Sequence, residues 1–279
     1  MMLASSTLDL RDRHVMAIVN LTPDSFYSLS RHVAYDVAVE SVERAIAQGA
    51  TIVDLGGYST RPGAAEVSLE EEWQRVKMGL DAVRSVGQGV VVSVDTFRSE
   101  IVRRAYEEYG EIIVNDISAG ELDENMVATV AELGLRYVAM HMRGTPQTMQ
   151  SLNDYPKGVV RGVVDYFTKR TSELVAAGIA KENIILDPGF GFAKSLEQNY
   201  ELLASLADVR ALGYPLLVGV SRKSMIYRPL GIQPDEALPG SLALAWEALR
   251  GGASVLRVHD VGATRQVVDL YNHFQTSIG

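Results

Sequence analysis

The chain contains no cysteine. That absence excludes disulfides, thiolate nucleophiles and zinc–thiolate centres. It also leaves the compartment undecided by redox chemistry, with a cytoplasmic enzyme as the expectation. Basic residues are in the minority: 26 Lys and Arg against 35 Asp and Glu give a net charge of −9. Such a balance argues against nucleic acid as a partner. It is still compatible with a small anionic ligand, because a local pair such as Arg222 and Lys223 decides that. No apolar run is long enough to span a membrane, and the opening "MMLASSTLDLRDRH" lacks the apolar core of a signal peptide. There is no Walker loop and no His-Glu-x-x-His zinc pattern. The Gly-x-Gly of "DPGFGFAKS" lacks the third glycine of a dinucleotide fingerprint. Internal repeats, low-complexity segments and proline-rich linkers are also missing. Residues 1–279 are therefore expected to form one domain.

What is present is a repeating alternation. Short β-branched runs recur as "HVMAIVN", "TIVDLG", "GVVVSVD", "EIIVND", "RYVAMH", "NIILDPG", "PLLVGVS" and "SVLRVHD". They are nearly continuously apolar, as strands buried on both faces should be. Amphipathic helical patterns lie between them. In "VSLEEEWQRVKMGLDAVRSV", Ser68 can cap the N-terminus and Leu69, Val76, Leu80 and Val83 mark an apolar face. "EIVRRAYEEYG" and "SLEQNYELLASLADV" read as further helices. Eight evenly spread strand–helix units point to a closed (β/α)8 barrel, with a doubly wound open sheet as the alternative. The first dozen residues are expected to be a loose lead-in or a hairpin plugging the barrel bottom.

Polar residues collect at one end of the apolar runs. In chain order they are Asn20, Asp54, Asp95, Asn115 with Asp116, His141, Asp187, Ser221-Arg222-Lys223, and Arg257 with His259. In a barrel these ends converge on one mouth, the catalytic face. Taken singly, Asp and Asn after a strand can cap the next helix, His141 can be a satisfied core histidine, and Arg257 can serve a salt bridge. Capping does not explain Arg257, His259, His141 and Lys223 together. "GGYSTRPG" is a long polar insertion that reads either as an idle surface loop or, with Thr60 and Arg61 at its tip, as a mobile lid.

Eight segments, in order, resemble the dihydropteroate synthase family: "NLTPDSF", "DLGGYSTRPGA", "SVDTFRSEIV", "VNDISAG", "MHMRGTPQTMQ", "DPGFGFAKS", "GVSRKS" and "LRVHDV". The resemblance covers nearly the whole chain. It implies a TIM barrel with its active site at the C-terminal ends of the strands. It also implies the joining of 7,8-dihydropterin-6-ylmethyl diphosphate to 4-aminobenzoate, with Mg²⁺, in a homodimer that is a sulfonamide target. Residue by residue, it assigns Asp187 to the amino-pyrimidinone edge of the pterin. Asn115 and Asp95 take other ring edges, Lys223 the ring carbonyl and ring nitrogen, and Met140 and Phe190 the apolar walls. Arg257 borders both pterin and diphosphate. Asn20 and His259 join it at the diphosphate end, and Asn20 supplies the metal oxygen. Thr60, Arg61 and Ser224 serve the aminobenzoate. Asn20, Lys223, Arg257 and His259 form the catalytic set.

Two departures stand out. Tyr58 occupies the position where the common pattern has Glu, and "DSFYSLSRH" lacks the usual Ser-Asp-Gly-Gly run. Two other readings compete. A pterin-binding methyltransferase of the corrinoid type shares the pterin-reading Asp and Asn, and a pterin-binding paralogue need have no turnover.

Overall fold

The structure, a computed structural model, describes residues 8–21, 31–59, 66–87, 89–145 and 147–278. Strands and helices alternate: β1 (His14–Asn20), α1 (Arg31–Ala47), β2 (Ile52–Gly56), α2 (Leu69–Val86), β3 (Val91–Asp95), α3 (Ser99–Tyr109) and β4 (Ile113–Asp116). Then follow α4 (Met126–Leu133), β5 (Arg136–Met140), α5 (Val159–Ala176), β6 (Ile184–Asp187), α6 (Leu196–Ala204) and α7 (Leu206–Arg210). The last elements are β7 (Leu217–Val218), α8 (Ser224–Leu230), α9 (Leu238–Arg250), β8 (Val255–Val258) and α10 (Val261–Ile278). All strand pairings are parallel, in the order β6-β5-β4-β3-β2-β1-β8-β7. A parallel bridge between Leu186 and Leu216 brings β6 to β7, so the eight strands form a nearly closed barrel with the helices around it. The open-sheet alternative is thereby set aside.

Local chemistry explains the helices. Ser68 caps α2, its Oγ accepting from the Glu71 amide at 3.2 Å. Trp73, Val76, Leu80 and Val83 bury one face of that helix, at the three-to-four-residue spacing that aligns side chains. The single helix expected over "SLEQNYELLASLADV" is broken at Ser205 into α6 and α7. A capping box between Ser195 and Gln198 starts α6.

Strand side chains alternate between inside and outside, and this parity sorts the barrel interior into layers. Met16, Ile52, Val91, Ile113, Val138, Ile185, Leu217 and Val255 form the bottom layer. Leu8 and Leu10 pack beneath it, and the Leu8 carbonyl accepts from Arg136 at 2.9 Å. Residues from Leu8 onward thus close the bottom, as a plug should. Two residues further along each strand, the same inward parity gives Ile18, Asp54, Ser93, Asn115, Met140, Asp187, Gly219 and Arg257. One more step gives Asn20, Gly56 and Asp95. The apolar floor therefore carries a polar upper layer.

Candidate active site

Asp54 and Arg257 form the centre of that layer. Asp54 is fully buried on β2. Its Oδ2 accepts from Arg257 Nε at 2.6 Å and from Asn115 Nδ2 at 3.1 Å. Arg257 Nη2 reaches Asp95 Oδ2 at 2.7 Å. One guanidinium thus joins β8 to β2 and β3, and Asn115 ties in β4. Burial works against the Arg257 charge, but Asp54 and Asp95 outweigh it and hold its pKa above the usual value. Burial raises the Asp95 carboxyl, opposed by Arg257 and reinforced by Asp54. Asp54 is among the strand-end polar residues legible in the sequence, but the resemblance gave it no role; its inward parity within "TIVDLG" is what places it at the centre.

The β6 end supplies the next wall. Burial raises Asp187, with Lys223, the Gly189 amide, Arg257 and Lys194 opposing. Gly189 N donates to Asp187 Oδ1 at 2.8 Å. A Cβ on Gly189 would lie 2.1 Å from the His141 carbonyl, and its φ is +69°, so only glycine fits this turn. Lys223 Nζ donates to the Phe190 carbonyl and lies 5.0 Å from the centroid of the Phe192 ring. Burial pulls Lys223 down to about 8, against the pull of Asp187. A Cβ on Gly219 would be 3.8 Å from Arg257 Cβ and 4.0 Å from Lys223 Nζ. The bare glycine lets these two cations flank one point.

Met140 lies in an apolar cluster with Ile117, Met142, Met149 and Ala193, edged by Phe97 and Phe192. Phe190 differs from its expected role as an open wall. Its ring is fully buried among the main core residues, and its carbonyl is what it offers Lys223. Phe192, two residues on, is the partly buried ring at the cluster; sequence reading passed over it. Parity also separates neighbours. Asp116 faces away from the mouth and accepts from Ser118 N and Oγ, Gly120 N and the Tyr137 hydroxyl, all within 2.8 Å. His141 is buried, with its ring edge-on to Tyr166 at 4.9 Å.

Asn20 ends β1 and is exposed. A Cβ on Gly56 would lie 3.8 Å from both Asn20 Oδ1 and Asp95 Oδ2, so these oxygens flank one site. The β1–β8 pairing puts Met16 opposite Arg257, which brings the expected diphosphate residues to neighbouring strands. His259 is exposed at the rim, its Nδ1 3.1 Å from Ser221 Oγ. Arg222, at φ 55°, is held by Asp260 through two bonds of 2.9 and 2.5 Å. Ser224 opens α8, which has seven residues and a proline within it. So short a helix has little macrodipole, and the hydroxyl is what Ser224 contributes. Thr60, Arg61 and residues 24–30 of "DSFYSLSRH" lie outside the described residues. Tyr58 packs edge-on against Phe97 at 5.1 Å and beneath the Arg98 guanidinium at 5.4 Å. Arg98 in turn binds buried Glu72 at 2.7 Å. The tyrosine is therefore anchored to the β3–α3 turn.

The description "pterin binding enzyme" belongs to the family whose profile matches residues 16–259. The chain belongs to the pterin-binding enzyme family. Among members of this family, dihydropteroate synthase of Escherichia coli K12 is 47% identical over 259 residues, covering 93% of this chain and 90% of its own. Dihydropteroate synthase of Yersinia pestis, solved with a sulfonamide drug, superposes with a TM-score of 0.90 at 38% identity over 99% of both chains. That of Xanthomonas albilineans, solved with 7,8-dihydropteroate, gives 0.84 at 34% identity, over 96% of this chain and 95% of the other. No helix among the described residues of this pterin-binding family member is long and apolar enough to cross a membrane.

Proposed function

We propose that this chain, as one domain, catalyses the dihydropteroate synthase reaction of folate biosynthesis in the cytoplasm. It joins 7,8-dihydropterin-6-ylmethyl diphosphate to 4-aminobenzoate, giving 7,8-dihydropteroate and diphosphate. One observation carries this reading. Asp54, Asn115, Asp187 and Arg257 share one inward layer, with Asp95 and Lys223 at its upper edge. An aminopyrimidinone presents adjacent N–H donors, and the two oxygens of Asp187 suit them. Asn115 and Asp95 bracket the ring, Lys223 donates to its carbonyl, and Met140 with Phe192 cover its apolar face.

The exocyclic carbon–oxygen bond then breaks, its electron pair leaving with the diphosphate. The methylene cation that remains is conjugated with the ring. The neutral arylamine attacks it, a nitrogen–carbon bond forms, and the nitrogen releases a proton. Such a nucleophile needs little general-base help, so no hydroxyl–imidazole–carboxylate array is required. Charge grows on the departing diphosphate, and Arg257, Asn20 and His259 face that change. Ser224 and the segment with Thr60 and Arg61 receive the aminobenzoate.

Among the described residues no group of three or more His, Asp or Glu could hold a metal ion. The Asn20 amide oxygen, exposed beside Asp95, is a single hard donor. It fits magnesium, which keeps most of its waters and binds through substrate phosphates. Mg²⁺ held there would offset the charge of the leaving group. A homodimer fits α10, where Leu270, Phe274 and Ile278 are exposed and Trp246 packs against Phe274.

Arg257→Ala separates this reading from a methyltransferase-type or purely binding domain. Turnover should fall by about 10²–10³, with binding of a pterin lacking diphosphate much less affected. Near-normal diphosphate release by the variant at saturating substrates would remove Arg257 from the reaction.

A further inference from the structure

Lys194 is a buried amine that the reaction above does not use; burial pulls its pKa down to about 7 against the pull of Asp187, so it carries its charge across the acid range. It follows β6 in "DPGFGFAK" and is 5% exposed. Its Nζ lies 2.9 Å from the Gly189 carbonyl, 2.9 Å from the Phe192 carbonyl and 3.0 Å from His141 Nδ1. An ammonium has three donors and no acceptor. Three acceptors therefore satisfy it completely, provided that His141 is neutral and presents a lone pair at Nδ1. Burial, with Lys194 adding to it, holds the His141 pKa well below the ordinary value, which fulfils that condition. A methionine would fill such a space without the cost of burying a charge. The ammonium therefore calls for a reason beyond packing.

Two of its acceptors belong to the turn that builds the pterin wall. That turn carries the Gly189 amide, bonded to Asp187 Oδ1 at 2.8 Å, and the Phe190 carbonyl, bonded to Lys223. From the other side, Asn199 Oδ1 accepts from the Gly191 amide at 2.7 Å. The third acceptor, His141, fixes the turn to the end of β5, where its own amide donates to the Asp187 carbonyl at 2.9 Å.

We propose that Lys194 is a positioning residue of the pterin site, clamping the 189–192 turn so that Asp187 and Lys223 present fixed partners to the pterin edge. Its charge has a second consequence. Asp187 is faced by neutral His141 from β5, Lys223 from the β7–α8 turn, Arg257 from β8 and Lys194 from its own turn. Burial favours the protonated acid, and these cations oppose it. Only the carboxylate accepts two N–H bonds. Pterin affinity should therefore fall as pH drops through the Asp187 pKa, and losing one cation should move that fall to higher pH.

The proposal rests on the pterin reading above, so the unmodified chain is the first arm of the test. The probe is 6-hydroxymethyl-7,8-dihydropterin, followed by calorimetry across the acid range. If the unmodified chain does not bind it, the pterin reading itself fails. If it binds, Lys194→Met should weaken binding by about tenfold at neutral pH and shift the acid limb up by about one pH unit. The KM for aminobenzoate should stay unchanged. Lys194→Gln, which loses the charge but keeps donors, should show the same acid-limb shift. A weaker but unshifted profile would reduce Lys194 to packing and overturn the proposal. So would failure of both variants to fold, because the lysine would then serve the barrel rather than the site.

Discussion

Replacing Asp54 with alanine should destabilise the barrel and loosen its mouth together. Removing one partner of a buried ion pair typically costs roughly 3–5 kcal/mol. Two features reduce that figure here. Arg257 is 22% exposed and keeps Asp95 at 2.7 Å, so its charge is not stranded. Asp54 Oδ1 has no hydrogen-bond partner among the described residues, so alanine also removes an unsatisfied atom. What is lost is the 2.6 Å bond to Arg257 and the 3.1 Å bond from Asn115. A loss of about 2 kcal/mol is the expected result. Urea unfolding at neutral pH measures it through the midpoint shift, provided that the slope is unchanged. A double-mutant cycle with Arg257→Ala isolates the pair and should give a coupling energy above about 1 kcal/mol. Additive effects, or a single-variant loss below about 0.5 kcal/mol, would refute the claim that Asp54 organises this layer.

Asp187→Asn replaces one of two acceptors with a misplaced donor, and should weaken pterin binding by roughly 2–5 kcal/mol; calorimetry showing less than a threefold loss would remove Asp187 from the pterin edge. Lys223 sets a basic limit. Burial brings it down to about 8, so pterin affinity should hold level between the acid limb set by Asp187 and that pH and decline above it, and Lys223→Met should abolish the basic decline. The sign for stability is opposite. Between about 8 and the unfolded lysine value of about 10.4 the unfolded chain holds more protons, so this residue's burden on the fold lightens as pH rises. Unfolding free energies of the unmodified chain and of Lys223→Met, compared across that window, check the direction.

Much of this was legible in the sequence because strands buried on both faces leave continuous apolar runs, and each run predicted here contains an observed strand. The polar ends were legible too, but run-end position alone mixes two faces. Asn115 and Asp116 are adjacent, yet only Asn115 shares the inward parity of Asp54 and Asp187. Counting by twos from the apolar floor separates them, and that floor is known only once the register is. Phe190 and Phe192 show another limit. Both flank a glycine in one turn, and the turn's backbone decides which ring reaches the mouth. Arg257 carries a long-range consequence that composition cannot reveal, because its two carboxylate partners lie on β2 and β3, more than half the chain away.

The most direct test of the central claim is a product balance. Purified protein with Mg²⁺, 7,8-dihydropterin-6-ylmethyl diphosphate and 4-aminobenzoate should yield diphosphate and 7,8-dihydropteroate in equal amounts, and neither product at a comparable rate when Arg257 is alanine. Pterin binding without either product, or diphosphate release with no dihydropteroate formed, would contradict it.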